Sequence, residues 1–371
     1  MEKPPALIDS IRRRPGMYVG PCDVQAFSSM ALMLCDVALA TLAPQPCTHI
    51  EVTIHADSLE VYSDGGYFEM KDAEHRYSIL RDPFERLRPG NTDGWWRADG
   101  MLELCCICAL SSSFAVELHT GQRRLSQRYA RGLVASTVID HGPSAAVSRR
   151  ITFTPDAGII TGWDAFTPDV LVDRLDVLAG MHAGLRTALH DTRSGLKVAS
   201  CYPDGLRGLL RHRAGGGAGN VDAGNTQIAG GRSTDGLAAE VVVQARVGDG
   251  LAIWSFMNGQ ETEGGGSHAA GLRRGLAAAL DRAAREAGLF DAGTPRLRAG
   301  DLPPDLAAIV SVRADNPCYC GAMKYEIRSE RIARFVRGIA ARLPAAALLA
   351  APSVRRWVAS HAARARGGGA A

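Results

Sequence analysis

Lysine is nearly absent from this chain of 371 residues: it occurs only at Lys3, Lys71, Lys197 and Lys324, so almost all of the 42 basic side chains are arginine. Against 39 acidic residues they leave a net charge of +3. That is too small to mark a dedicated nucleic-acid binder, so direct DNA binding is expected to be absent or weak. The arginine bias, with abundant Ala and Gly, fits a GC-rich coding sequence better than phosphate recognition. No apolar run reaches the ~20 residues of a membrane-spanning helix, and no secretory leader is evident. Nine cysteines, an odd number, do not form a paired disulfide framework, and the expected compartment is the reducing cytoplasm. The Gly-rich run Ala214–Asn220 is fed by no strand and followed by no Lys-Ser/Thr, which excludes a phosphate-binding P-loop.

What is present suffices for two cores. The chain is 46% hydrophobic and 22% charged, the balance of an ordered globular protein, and its length exceeds one ordinary domain. We expect domains at 1–165 and 166–345, a flexible Gly-rich loop at 213–236, and an Ala/Arg-rich C-terminal helix and tail at 346–371 whose arginines line a solvated face.

A capped start at Asp9 or Ser10 leads to an Arg-Pro-Gly turn, and Phe27–Leu42 has helical apolar spacing that ends before Pro44 and Pro46. Thr48–His55 alternates as a strand with Leu59–Tyr62 as its hairpin partner, followed by the turn cluster Ser63-Asp64-Gly65-Gly66. Residues 69–99 are polar and rich in breakers, as in a lid or surface loop. Met101–Leu110 reads as a buried helix in which Cys105, Cys106 and Cys108 serve as small hydrophobes. Phe114–His119, Arg124–Ala130, Ala135–Asp140 and Arg150–Thr154 read as strands, and Val170–His190 as one helix with Pro168 near its first turn. Leu206–Arg213 is a short amphipathic helix. Beyond it, Ala238–Ala245 and Leu251–Met257 read as strands, Gly271–Ala287 as a helix, Ala307–Val312 as a returning strand and Ser329–Leu343 as a helix.

Two stretches carry a specific resemblance. Arg12-Arg13-Arg14-Pro15-Gly16-Met17-Tyr18-Val19-Gly20 resembles the R-K-R-P-G-M-Y-I-G segment of the gyrase B family. Ser255-Phe256-Met257-Asn258 with Gly264-Gly265-Gly266-Ser267-His268 and Gly271 resembles that family's S-F-x-N-x-I…E-G-G-T-H-xx-G-F segment. Ile50–Asp57 matches the family strand I-x-V-T-I-H-A-D. The chain is identified as similar, from Ile8 to about Phe335, to the ATPase half of type IIA topoisomerases. The resemblance implies an α+β fold: a GHKL (Bergerat) α/β sandwich over 1–165, then a transducer domain like ribosomal protein S5 domain 2 over 166–345. The toprim motifs E-G-D-S-A-G and D-x-D do not occur, so this chain alone is not expected to cleave or rejoin DNA.

The resemblance also locates departures. The family's catalytic glutamate falls on Met33, whose thioether cannot act as general base. The magnesium-holding asparagine falls on Val37, which offers no oxygen ligand; Asp36 persists at the motif's aspartate. In the adenine-reading D-G-x-G motif Asp64 and Gly65 survive while the last glycine is Tyr67, and Asp64 reads equally as a turn residue. The glycine-rich phosphate cradle is replaced by Arg97-Ala98-Asp99-Gly100-Met101-Leu102-Glu103, where Asp99 and Glu103 repel phosphate. The lysine of the transducer's Q-T-K loop falls on Lys324, and the arginine that aminocoumarins contact in the family is missing at His119-Thr120-Gly121. Asp64, Asp36 and Lys324 are therefore the remaining nucleotide-pocket candidates. Neither ATP nor Mg is expected as a cofactor, and no metal site is expected, since Cys318-x-Cys320 with His268 lacks a zinc-ligand spacing.

Three functions stay open. The first is a gyrase-B-like protein without ATP hydrolysis, acting as scaffold, gyrase modulator or self-resistance decoy, with gyrase subunits or a second copy as partner. The second is an enzyme or binder of specialised metabolism that takes an organic small molecule in the vacated pocket, with Lys324, Cys318, Cys320, His268 and Asp64 as candidate catalytic groups. The third is an ATPase with relocated residues.

Overall fold

Period-two patterning drives the first half of the chain into a sheet. In β1 (His49–Ile54) residues Ile50, Val52 and Ile54 point inward, and β2 (Leu59–Ser63) returns antiparallel with Leu59, Val61 and Ser63 on the same face. In the computed structural model the described residues are 6–39, 46–65, 101–215, 226–233, 236–246, 250–315, 317–320 and 326–367. The polar segment 69–99, the replaced cradle positions Arg97–Gly100, Tyr67, Lys324 and the centre of the Gly run lie outside them.

The chain divides into two units, Met1–Pro203 and Asp204–Ala371. In the first, β3 (Ser111–Thr120), β4 (Arg123–Ala130), β5 (Leu133–Val134), β6 (Ile139–Pro143), β7 (Val147–Pro155), β8 (Arg186–Asp191) and β9 (Leu196–Cys201) extend the sheet. The order is β5-β4-β3-β7-β2-β1-β8-β9, with β6 on β4. Pairing is antiparallel except for β1 and β8, which are parallel. The helices Ala6–Arg13, Val24–Leu39, Met101–Ala109 and Asp169–Met181 share the core with the inward strand residues, among them Phe27, Met30, Phe114, Phe153 and Leu175. Away from that core the sheet carries cross-strand polar pairs, Glu60 with Arg150 and Thr152 and Glu117 with Arg124, while His119 meets Glu117 along the same strand.

Three expectations are corrected in this unit. The stretch Val170–His190 is a helix only to Met181; the chain turns through Gly184 (φ +83°) and becomes β8, in which Thr187, Leu189 and Asp191 are buried alternately. The unit accordingly extends to Pro203 and not to 165, because β8 pairs with β1 and the helix Asp169–Met181 packs on Val24–Leu39. Ala135–Asp140 is not one strand: the amides of Ala135 and Ser136 both turn back to the Arg128 carbonyl, separating β5 from β6.

The second unit begins with the helix Leu206–Arg213. Its sheet runs β10 (Gln227–Arg232), β11 (Ala238–Ala245), β14 (Leu306–Arg313), β12 (Ala252–Met257), β13 (Gln260–Glu261). β12 and β14 are parallel, joined by the helix Ser267–Glu286, which is the expected β-α-β arrangement. β10 lies in the span expected to be a flexible loop, and pairs with β11 over six residues. The helix Glu330–Ala340 starts at Ser329, whose hydroxyl accepts the Ile332 amide at 3.3 Å. It crosses Ser267–Glu286 so closely that a Cβ at Gly275 would lie 2.6 Å from both the Arg337 carbonyl oxygen and the Ala340 methyl. The C-terminal helix Pro352–Gly367 packs into this unit: it buries Val354, Val358 and Ala362 in the core at i, i+4, i+8, leaving Arg355, Arg356 and Arg364 exposed. No helix among the described residues is long and apolar enough to cross a membrane.

Candidate functional site

The helix Val24–Leu39 carries Met33, Asp36 and Val37, the positions the resemblance marks as base, motif aspartate and metal holder. Met33 packs partly buried against the core and Val37 is fully buried. Asp36 is engaged by the neighbouring helix Asp169–Met181: its Oδ1 accepts from Arg174 Nε at 2.9 Å and Nη2 at 2.5 Å. Burial, with Asp36 adding to it, pushes the adjacent Cys35 thiol up to about 12.

At the end of β2, Asp64 turns its carboxylate back onto the start of β1. Oδ1 accepts the amides of Thr48 and His49, each at 2.8 Å, and Oδ2 accepts the Thr48 hydroxyl at 2.5 Å. Burial alone would raise this carboxyl, but the bonds from Thr48, His49 and Cys47 outweigh it and hold it below the ordinary carboxylate range. Gly65 follows so tightly that a Cβ there would lie 2.5 Å from the Cys47 Cβ. The Cys47 thiol donates to the His49 carbonyl at 3.5 Å, and burial, then the Asp64 charge, pushes it up to about 11. It is a protonated neighbour, not a nucleophile.

A residue that sequence reasoning missed connects these two places. Arg149 on β7 stands opposite Ser63 on β2. Its Nε donates to the Ser63 hydroxyl at 3.2 Å and its Nη2 to the backbone carbonyl of Val37. The side chain is only 3% exposed, and desolvation lowers its pKa to about 10, so it remains charged at neutral pH. The signal was available: Arg149, Ile151 and Phe153 share the inward face of an alternating strand, while Arg150 faces out toward Glu60.

The Arg-Pro-Gly segment proves structural where it is buried. Arg12 donates to the Ala109 carbonyl at 2.6 Å and to Asp156 at 2.8 Å, and Arg131 reaches the same carboxylate at 3.1 Å. His119 lies between Ser144 (2.8 Å) and Glu117 (3.2 Å).

The remaining candidates belong to the second unit. His268 is fully buried; Nε2 meets the Thr262 hydroxyl at 2.9 Å, which in turn donates to the Ser255 carbonyl at 2.9 Å. Burial lowers its pKa to about 4, so the ring is neutral, and this trio ties β12 to the helix that follows it. Cys318 is exposed and Cys320 half-buried in a strap whose backbone pairs with Glu326 and Arg328. Asp64 and Asp36 lie in one unit and His268, Cys318 and Cys320 in the other. Among the described residues no three His, Cys, Asp or Glu side chains form a metal-binding group.

A family model described as DNA gyrase B matches residues 218–366. The gyrase B protein of Borrelia hermsii is 26% identical over 341 residues, covering 90% of this chain and 53% of the relative. That of Halalkalibacterium halodurans is 26% identical over 328 residues, covering 86% and 51%. The chain thus spans about half the length of these relatives. In three dimensions it is similar to the 43K ATPase domain of Thermus thermophilus gyrase B, solved with an aminocoumarin. There the TM-score is 0.78 at 23% identity, over 98% of this chain and 96% of that one. The gyrase B structure from Myxococcus xanthus gives a TM-score of 0.74 at 21% identity, over 95% and 99%.

Proposed function

Because this chain belongs to the DNA gyrase B family, we propose that it is a member without ATP hydrolysis, a non-catalytic scaffold that modulates gyrase or acts as a self-resistance decoy. One observation carries the reading: the buried Arg149 guanidinium is bonded to the backbone carbonyl of Val37, the residue that stands where the resemblance has its magnesium-holding asparagine. The Val37 side chain supplies no oxygen ligand for a divalent cation, and the nearby positive charge disfavours one. Asp36, the surviving acid of the motif, is held by Arg174, and Met33 cannot take a proton from water. The residues present therefore do not fit an Mg–ATP complex, and no hydrolytic step is derived from them.

A protein with this scaffold and no turnover still offers a gyrase-like surface, which suits a partner that recognises gyrase subunits or a second copy. The test is a calorimetric titration of the full chain with ATP, with and without Mg2+, alongside phosphate release. No binding heat and no phosphate above the buffer rate are expected; magnesium-dependent ATP binding with phosphate release would remove the proposal.

A further inference from the structure

We infer that Arg149 is an autoinhibitory side chain: it is the chain's own occupant of the base-binding end of the old nucleotide site, and its bulk closes that end. This rests on the reading above and goes a step further, because it assigns the closure to one residue outside the family's catalytic motif.

The placement argues for it. The Asp64 carboxylate marks the end of the site that would read a base, and Arg149 enters beside it from the opposing strand, paired with Ser63, the residue before Asp64. Its guanidinium then spans to the helix Val24–Leu39, ending on the Val37 carbonyl, so one side chain crosses from the sheet to the helix. A ligand between the same two elements would need that crossing space. The residues around it are closed as well: Ser63 and Val37 are no more than 1% exposed and Val61 is 3% exposed. Space of this kind in a packed interior is filled by one group or another, and a charged group stays only with its donors satisfied. The Asp64 carboxylate is itself turned toward Thr48, His49 and Cys47, and what the opposing strand adds at this end is the volume of Arg149.

The experiment uses the full chain, Arg149→Ala and Arg149→Met, with adenine and ADP as probes followed by ligand-observed NMR and thermal shift. Arg149→Ala is expected to bind adenine at least about tenfold more tightly than the unaltered chain, while Arg149→Met, which keeps the bulk without the donors, remains closed. Methylguanidinium should raise the melting temperature of Arg149→Ala by a few degrees and leave the unaltered chain unmoved, as a ligand that restores the missing group does. This readout serves even where the variant is partly unfolded. A folded Arg149→Ala that takes neither adenine nor methylguanidinium would overturn the inference, as would adenine binding by Arg149→Met. ATP binding by the unaltered chain would instead sink the proposed function, so the two failures are separable.

Discussion

The two units solve the burial of polar groups in opposite ways. The first buries charged residues, Arg149, Asp156, Asp176 and Asp191, with Asp156 bonded across elements by Arg12 and Arg131 and Asp191 locally by Arg193. The second buries mostly neutral groups, Ser255, Thr262, His268, Gln244 and Thr226, and draws its helices together over glycine and alanine. Its one buried acid among the described residues, Asp281, is paired with Arg285. The first unit thus relies on buried electrostatic contacts, where removal of one partner strands another. The second unit depends on shape, where an added atom does the harm. Charge divides the same way: residues 204–371 hold 22 of the 42 basic side chains but 15 of the 39 acidic ones. The +3 of the whole chain therefore averages an acidic unit and a basic one, and describes neither.

The largest effect expected from this contrast is steric. Gly275→Leu places a side chain against the Arg337 carbonyl and the Ala340 methyl, and should cost about 3 kcal/mol or more. Calorimetry should show the melting transition lowered by several degrees. An unchanged transition would mean that the helix seam is loose and the comparison mistaken.

The next effect concerns pH. His268 has a folded pKa of about 4 against an ordinary 6.5, so the unfolded chain binds the proton first. The contribution of the neutral ring is complete above pH 6.5 and is lost as pH falls toward 4, by at most about 3 kcal/mol. Glu240, raised by burial, acts in the opposite sense and favours the fold at low pH. The depressed carboxylates of the first unit, Asp64, Asp156 and Asp191, contribute above their ordinary 3.8 and lose that contribution only below it. Denaturant midpoints across pH 3–7 should therefore fall in two windows, and His268→Gln should flatten the upper one. A slope unchanged by that substitution would refute the assignment.

The smallest effect is at Asp36. Asp36→Asn keeps the size and removes the charge that faces Arg174, in a pair that is partly exposed, so the loss should be about 1 kcal/mol. A urea midpoint would register it. A much larger loss would make Asp36 a buried linchpin and bring the first unit's surface closer to its core than the geometry describes.

Much of this was readable along the chain. The Ala/Gly helix read at Gly271–Ala287 and found at Ser267–Glu286, the alternating β1 and β2, the buried Cys helix and the Pro and Gly breaks are local patterns, and local patterns are what sequence carries. The errors came where pattern was ambiguous: Val170–His190 has apolar residues at both helical and alternating spacing, and Gly184 decides where one gives way to the other. Asp64 posed the same problem in chemistry, since a turn residue and a ligand-binding residue look alike in sequence, and only the fold shows its carboxylate accepting from the Thr48 and His49 amides.

By itself the sequence determined the scaffold and the residue types at its motif positions, because a family's strand pattern, its glycines at close approaches, and a methionine or valine in place of a carboxylate or amide are read position by position. Only the tertiary structure decided which side chain lies between β2 and the helix Val24–Leu39. Arg149 meets Ser63 across 86 residues and Val37 across 112, and no neighbour in the chain announces such a meeting. It depends on β7 lying beside β2 beneath one helix, a consequence of packing the whole core and not of any local preference.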